Sequence, residues 1–166
     1  MMNQKEYYKN IAEECMARSM YEDAMILLNK VRSSSENEAF YNNIGICQLK
    51  LEKYEEAKLS FDKAIDLDSD NAESYFNRGI LYYSLKNYEA AFKDYEKSLL
   101  ISPQAKFNYK IYHNMGNIYI EMKEYDKALT EYSKAIELNS KSDLSFQNKG
   151  RTFMKLKQFE ECDSLF

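Results

Sequence analysis

The chain has 166 residues with only four Gly and one Pro, where average usage would give roughly twelve and eight; so few turn-formers exclude an all-β sandwich or barrel. Charged residues make up 30% and aromatics 14%, with fifteen Tyr and no Trp, which excludes a disordered chain; the longest notable aliphatic run, Ala24 to Leu28, is far short of the ~20 residues a bilayer needs. A net charge of −4 and a pI near 5.2 argue against a nucleic-acid partner, whose binders carry a basic face or a domain pI above about 9.

From the N-terminus, Met1 to Glu6 begins a charged helix with no apolar signal core, so a cytoplasmic setting is expected. Residues 5–37 then carry Tyr8, Ile11, Ala12, Cys15, Tyr21, Ala24, Leu28 and Val31, followed by a Ser-rich connection from Arg32 to Asn37. The same pattern returns at 38–71, 72–108 and 109–142, now with Gly in place of Ala12. Gly45, Gly79, Gly116 and Gly150 are spaced by 34, 37 and 34 residues, and Ala12 precedes Gly45 by 33. Scarce residues at a fixed period mark an internal repeat.

The columns around the glycines define each repeat. Tyr41, Tyr75, Tyr112 and Phe146 stand four before; Tyr54, Tyr88, Tyr125 and Phe159 stand nine after. Ala57, Ala91, Ala128 and Cys162 come twelve after, and Phe61, Tyr95, Tyr132 and Phe166 sixteen after. The pattern predicts two helices per repeat, each of about 12–14 residues, joined by short turns such as Lys86-Asn87 and Lys123-Glu124. Pro103 cannot continue a helix and falls between repeats. A mid-helix Gly is unfavourable, so its recurrence predicts a close crossing of the two helices of a repeat. Twelve of the fifteen tyrosines fall in these packing columns and are expected in the core, with their hydroxyls reaching polar partners at its edge. The last repeat, 143–166, stops partway along its expected second helix. Phe153, Phe159, Leu165 and Phe166 are then left partly uncovered, so either more chain follows or this end packs on another molecule.

This register, carried by Tyr75-Phe76-Asn77-Arg78-Gly79-Ile80-Leu81-Tyr82 with Ala91, Tyr95 and Pro103, resembles the tetratricopeptide repeat over essentially the whole chain. The resemblance implies an all-α fold: a right-handed α-solenoid of antiparallel helix pairs, about 4.5 repeats in one domain spanning 1–166. It also implies a non-catalytic scaffold or adaptor that binds an extended peptide or a partner helix in a concave groove lined by the first helices. The alternative is an assembly module that self-associates, or packs into a larger complex, through its convex or C-terminal face.

The residues agree that this is not an enzyme. One histidine, His113, excludes two-His metal chemistry, and glycines more than thirty residues apart cannot form a phosphate loop. Carboxylates lie in surface runs such as Glu52 to Glu56, where i,i+4 ion pairs account for them. No metal or cofactor is expected. Cys15, Cys47 and Cys162 are too far apart for a Cys-x-x-Cys site and read as small buried residues of a reducing compartment.

One column invites a ligand. Two residues before each Gly, or before Ala12, stand Asn10, Asn43, Asn77, Asn114 and Asn148. Asn is a poor helix-interior residue, yet its amide both donates and accepts, so a ladder of five could hold the backbone of an extended peptide; the alternative is that these amides bond a neighbouring repeat. The surrounding groove is expected to be apolar at Ile46, Phe76, Ile80 and Tyr83 and polar or basic at Lys110, His113, Asn117 and Arg151, which suits an apolar anchor flanked by acidic residues. The carboxylate clamp of heat-shock co-chaperones is matched at only two of five positions in either three-repeat window, so that ligand class is not expected.

Overall fold

In the computed structural model, which describes residues 4–31 and 36–163, with side chains apart from Lys5 and 158–163, the first helix of each of the four earlier repeats ends on a left-handed residue. These are Ser19 (φ 62°), Glu52 (59°), Lys86 (57°) and Lys123 (60°), each seven residues after Ala12, Gly45, Gly79 or Gly116. At Glu52 the backbone closes with paired hydrogen bonds: Lys53 N–H donates to the Gln48 carbonyl (2.8 Å) and Glu52 N–H to Leu49 (3.1 Å). Glu124 and Lys123 repeat this onto Tyr119 and Ile120, as do Met20 and Ser19 onto Cys15 and Met16. The pairing satisfies carbonyls that a helix end otherwise leaves open. At the other end, Asn37, Asn71 and Asn87 accept from the N–H groups of Phe40, Ser74 and Ala90 and so begin three helices.

The chain divides into two compact units, Met1–Lys86 and Asn87–Phe166. The first holds α1 (Gln4–Ala17), α2 (Tyr21–Val31), α3 (Glu38–Lys50), α4 (Tyr54–Leu67) and α5 (Ala72–Ser84). Each helix packs on the next, and α3 also touches α5. Its core runs from Ala12, Ala24, Leu28, Val31, Phe40, Ile44 and Cys47 to Leu49, Ala57, Phe61 and Leu81. Asp62 of α4 ties to α5: it accepts from Arg78 (2.6 Å) and from Lys58 (2.7 Å). Burial alone would raise the Asp62 carboxyl, but these two hydrogen bonds outweigh it and hold it below the usual carboxylate range.

The second unit holds α6 (Tyr88–Ile101), α7 (Asn108–Glu121), α8 (Tyr125–Leu138) and α9 (Asp143–Asp163), again packed in succession. Pro103 follows the end of α6, as its missing N–H requires. Ile111, Ile118, Ala128, Tyr132 and Ala135 are fully buried. All described residues outside the helices are turns, bends or irregular links, and the fold class is all-α, a solenoid of helix pairs.

The glycines explain the helix crossings at two places. A Cβ on Gly45 would lie 2.6 Å from the Phe61 ring, and one on Gly116 would lie 2.6 Å from the Tyr132 ring. In each case the ring sixteen residues later rests on bare backbone. Gly150 departs from this: nothing lies within 4 Å of its would-be Cβ. The expected turn of the last repeat is also missing, since α9 runs as one helix of 21 residues straight through Lys157, the counterpart of Lys123. A left-handed residue costs about 1–2 kcal/mol, which packing of the second helix on the first offsets where the two helices form a pair, as α1 with α2, α3 with α4 and α7 with α8; no atom lies within 4 Å of a would-be Cβ on Gly150, and Lys157 is helical.

Two further expectations shift. Of the twelve column tyrosines only Tyr95 and Tyr132 are fully buried, the other ten being half-buried, as suits a side chain with a large apolar ring and a polar tip. Cys47 is buried but Cys15 only half so, and neither is in a disulfide; the side chains of Cys162, Phe159, Leu165 and Phe166 lie outside those described.

Gly45→Ala and Gly116→Ala are each expected to destabilise the protein by about 1–3 kcal/mol through overpacking. Gly150→Ala is expected to stabilise it by roughly 0.5–1 kcal/mol, the helix-propensity gain without a clash. Chemical denaturation of the three variants checks the opposite signs.

Candidate functional site

The asparagine column lies on the first helices α1, α3, α5, α7 and α9 and is not uniform. Asn10 is exposed, Asn43, Asn114 and Asn148 are half-buried, and Asn77 is only 8% exposed. Three of the amides reach back to the preceding repeat, each to a different acceptor. Asn77 donates to Asn42 Oδ1 (3.1 Å), Asn114 to the Tyr95 hydroxyl (3.3 Å), and Asn148 to Asn117 Oδ1 (3.1 Å). The Tyr132 hydroxyl donates to that same Asn117 oxygen at 2.7 Å. The sequence does hint at the tyrosine partners: the column sixteen residues after each glycine is Phe61 in one repeat but Tyr95 and Tyr132 in the next two, and only the latter carry a hydroxyl.

The apolar side chains named from the sequence differ in exposure. Phe76 is buried, and Ile46 and Ile80 pack against the Leu49, Ala57, Phe61 and Leu81 cluster. Tyr83 is half-buried, while Lys110 and Arg151 are exposed. In the second unit the structure thus brings Asn117, Asn148 and Tyr132 together.

His113 belongs to the same unit and faces α9. Its Nδ1 lies 2.9 Å from the Ser145 hydroxyl, which is itself 2.9 Å from Ser142 Oγ, and its ring centroid is 5.6 Å from that of Tyr132. Ser145 is fully buried, so this trio joins helices and does not present a nucleophile. Burial lowers the pKa of His113, favouring neutral imidazole. Cys47 likewise cannot act as a thiolate, its pKa being pushed up to about 11 by burial. Among the described residues no group of three or more His, Cys, Asp or Glu could hold a metal ion, and no helix is long and apolar enough to cross a membrane.

Helix pairs that stack in register, with small residues at the crossings and aromatic rings over them, define a helical-repeat solenoid. Its family follows from comparison: the tetratricopeptide-repeat profile matches residues 72–104 and 109–142, a second TPR profile matches 49–86, and the chain belongs to the tetratricopeptide-repeat family. No curated protein sequence matches it significantly. Among solved structures it is similar to pilF of Pseudomonas aeruginosa, at 18% identity and a TM-score of 0.83 over 93% of this chain and 70% of that one. It is also similar to MamA of Desulfovibrio magneticus RS-1, at 21% identity and a TM-score of 0.74 over 99% of this chain and 92% of that one. A third likeness is to YrrB, described as a TPR protein with an unusual peptide-binding site, at 21% identity and a TM-score of 0.71 over 89% and 75%. Proteins of this family are generally non-catalytic, and the chain is accordingly a protein-interaction scaffold.

Because the folded pKa of His113 lies below its unfolded value near ~6.5, the unfolded chain takes up its proton more readily. Stability is therefore intact above that pH and declines as pH falls through it toward the folded value. Denaturation midpoints of the wild type and His113→Gln between pH 7.5 and 5 are expected to converge at the acid end, the variant showing the flatter profile.

Proposed function

We propose that this protein is a cytoplasmic, non-catalytic adaptor that holds an extended peptide or a partner helix along the first helices of its repeats. The candidate contacts are Asn10, Asn43, Asn77, Asn114 and Asn148, with Ile46, Phe76, Ile80 and Tyr83 toward the middle of the chain and Lys110, His113, Asn117 and Arg151 beyond. The observation that supports this most directly is how the amides are held. Asn114 and Asn148 are half-buried and each is fixed by one hydrogen bond to the preceding repeat, whereas an amide offers two donors and two acceptor lone pairs. Each keeps further bonding capacity in a fixed orientation, which lowers the ordering cost of binding a peptide backbone. The exposed cation Lys110 on α7 favours acidic residues in the ligand. The absence of a disulfide at Cys15 and Cys47 is in keeping with the cytoplasmic setting.

A random peptide library displayed against the protein is expected to yield sequences with an apolar residue flanked by Asp or Glu. Lys110→Glu should weaken those peptides at least fivefold by titration calorimetry. Asn43→Ala should cost about 0.5–1.5 kcal/mol of binding, with the circular dichroism of both variants unchanged. A library with no enrichment, or affinities indifferent to both changes, refutes the reading.

A further inference from the structure

The amides of the second unit differ in what they have left to offer. Asn117 Oδ1 accepts twice, from Asn148 Nδ2 at 3.1 Å and from the Tyr132 hydroxyl at 2.7 Å, and a carboxamide oxygen has two lone pairs. Its acceptor is therefore filled, and Asn117 keeps the two N–H groups of Nδ2. Asn148 is left the other way round: one N–H is engaged by Asn117, while Oδ1 has no partner among the described residues. Both open atoms reach solvent, because among the described residues the buried side-chain polar atoms without a partner are Asn108 Oδ1 and Glu131 Oε2. The opening does not come from the end of the chain. Asn117 lies on α7 with α9 beyond it, and Asn114, on the same helix, likewise has only its Nδ2 engaged.

A donor on α7 thus stands one hydrogen bond away from an acceptor on α9. In an extended chain the N–H and C=O of one residue point to the same side, so the pair matches a single residue of a strand: Asn117 Nδ2 donates to its carbonyl and Asn148 Oδ1 accepts from its N–H. A helix offers no such edge, since its backbone groups are bonded within it. What fixes Asn117 as the donor is Tyr132. That ring is only 1% exposed and closed over Gly116, so its hydroxyl cannot swing away. Turning the Asn117 amide over would set its N–H groups against Asn148 Nδ2, donor against donor. The second repeat lacks both parts, having Ile46 in the place of Asn117 and Phe61 in the place of Tyr132. We propose that Tyr132 is a positioning residue for ligand binding: by holding Asn117 as a donor beside the Asn148 acceptor, it makes the two amides a clamp for the main chain of one residue of an extended peptide. The inference rests on the peptide reading of the first helices and narrows it to a strand.

The test uses Tyr132→Phe, which removes the hydroxyl and keeps a ring over the glycine, as Phe61 does over Gly45. Loss of one hydrogen bond should lower its melting temperature by no more than about 4 °C. The probe is the peptide Ac-Glu-Glu-Leu-Glu-Glu-NH2, titrated into the whole nitrogen-15-labelled protein; a second probe carries N-methyl-leucine, which lacks the central N–H. In the free protein the side-chain amide signals of Asn117, assigned by their loss in Asn117→Asp, are expected to shift in Tyr132→Phe. The wild type is expected to bind the leucine probe at least roughly fivefold more tightly than Tyr132→Phe does, the size of one hydrogen bond, and to prefer it over the N-methyl probe by a similar factor. Unmoved Asn117 signals, or equal affinity of the two proteins for the leucine probe, overturns the positioning role and leaves the peptide reading standing. An N-methyl probe bound by the wild type as tightly as the leucine probe overturns the main-chain clamp without recourse to any variant. Absence of saturable binding by the wild type overturns the peptide reading and the clamp together.

Discussion

An aromatic ring resting on a glycine backbone is the contact around which the repeats are arranged. At 2.6 Å from a would-be Cβ, the Phe61 and Tyr132 rings fill the space a side chain would take on Gly45 and Gly116, so the two helices approach as closely as bare backbone allows. The alanines on either side of the ring, Ala57 and Ala64 or Ala128 and Ala135, are wholly buried for the same reason. Close approach then sets the pitch of the pair and brings the next repeat's amide within reach of the previous one, as with Asn148 and Asn117. The first repeat reaches a looser version of the same crossing with Ala12 and Leu28 in these slots, whereas at Gly150 the notch is open and α9 continues as one helix.

The polar groups of the repeats serve cohesion before they serve recognition. Each stitched asparagine finds a different acceptor, so the column is one of position more than of identical geometry. Arg78 and Asp62 tie α5 to α4 in the first unit, and His113 and Ser145 tie α7 to α9 in the second. A half-buried ion pair or amide bond of this kind contributes modestly to stability, on the order of 1 kcal/mol, but it fixes rotamers, and fixed rotamers are what a binding face needs.

Much of the architecture was legible because scarce residues carry position well. Four glycines and Ala12 at a near-constant interval located the first helices, and the fully buried Ala57 and Ala128 located the crossings of α4 on α3 and of α8 on α7. The candidate site was less legible, for a physical reason. A helical register says which side of a helix a residue occupies, but not which atom of the neighbouring repeat lies within 3 Å of it. Phe76 therefore read as groove lining and is buried, and of the two readings open for Asn77 its amide shows the bond to a neighbouring repeat, at Asn42. Gly150 matched its column perfectly in sequence, yet its meaning depended on a ring that does not cover it.

The four left-handed turn residues have a consequence for how this protein comes apart. Ser, Glu and Lys have no intrinsic liking for positive φ; they hold it because the second helix of the pair is packed down. Lys157, at the same address without that packing, simply continues the helix. A helix pair whose second helix lifts away thus loses what holds its turn residue left-handed, and straight continuation of the first helix would keep its backbone hydrogen bonds. Partial unfolding of this array would accordingly lengthen helices before melting them, so helix content would outlast the tertiary packing that defines the repeats.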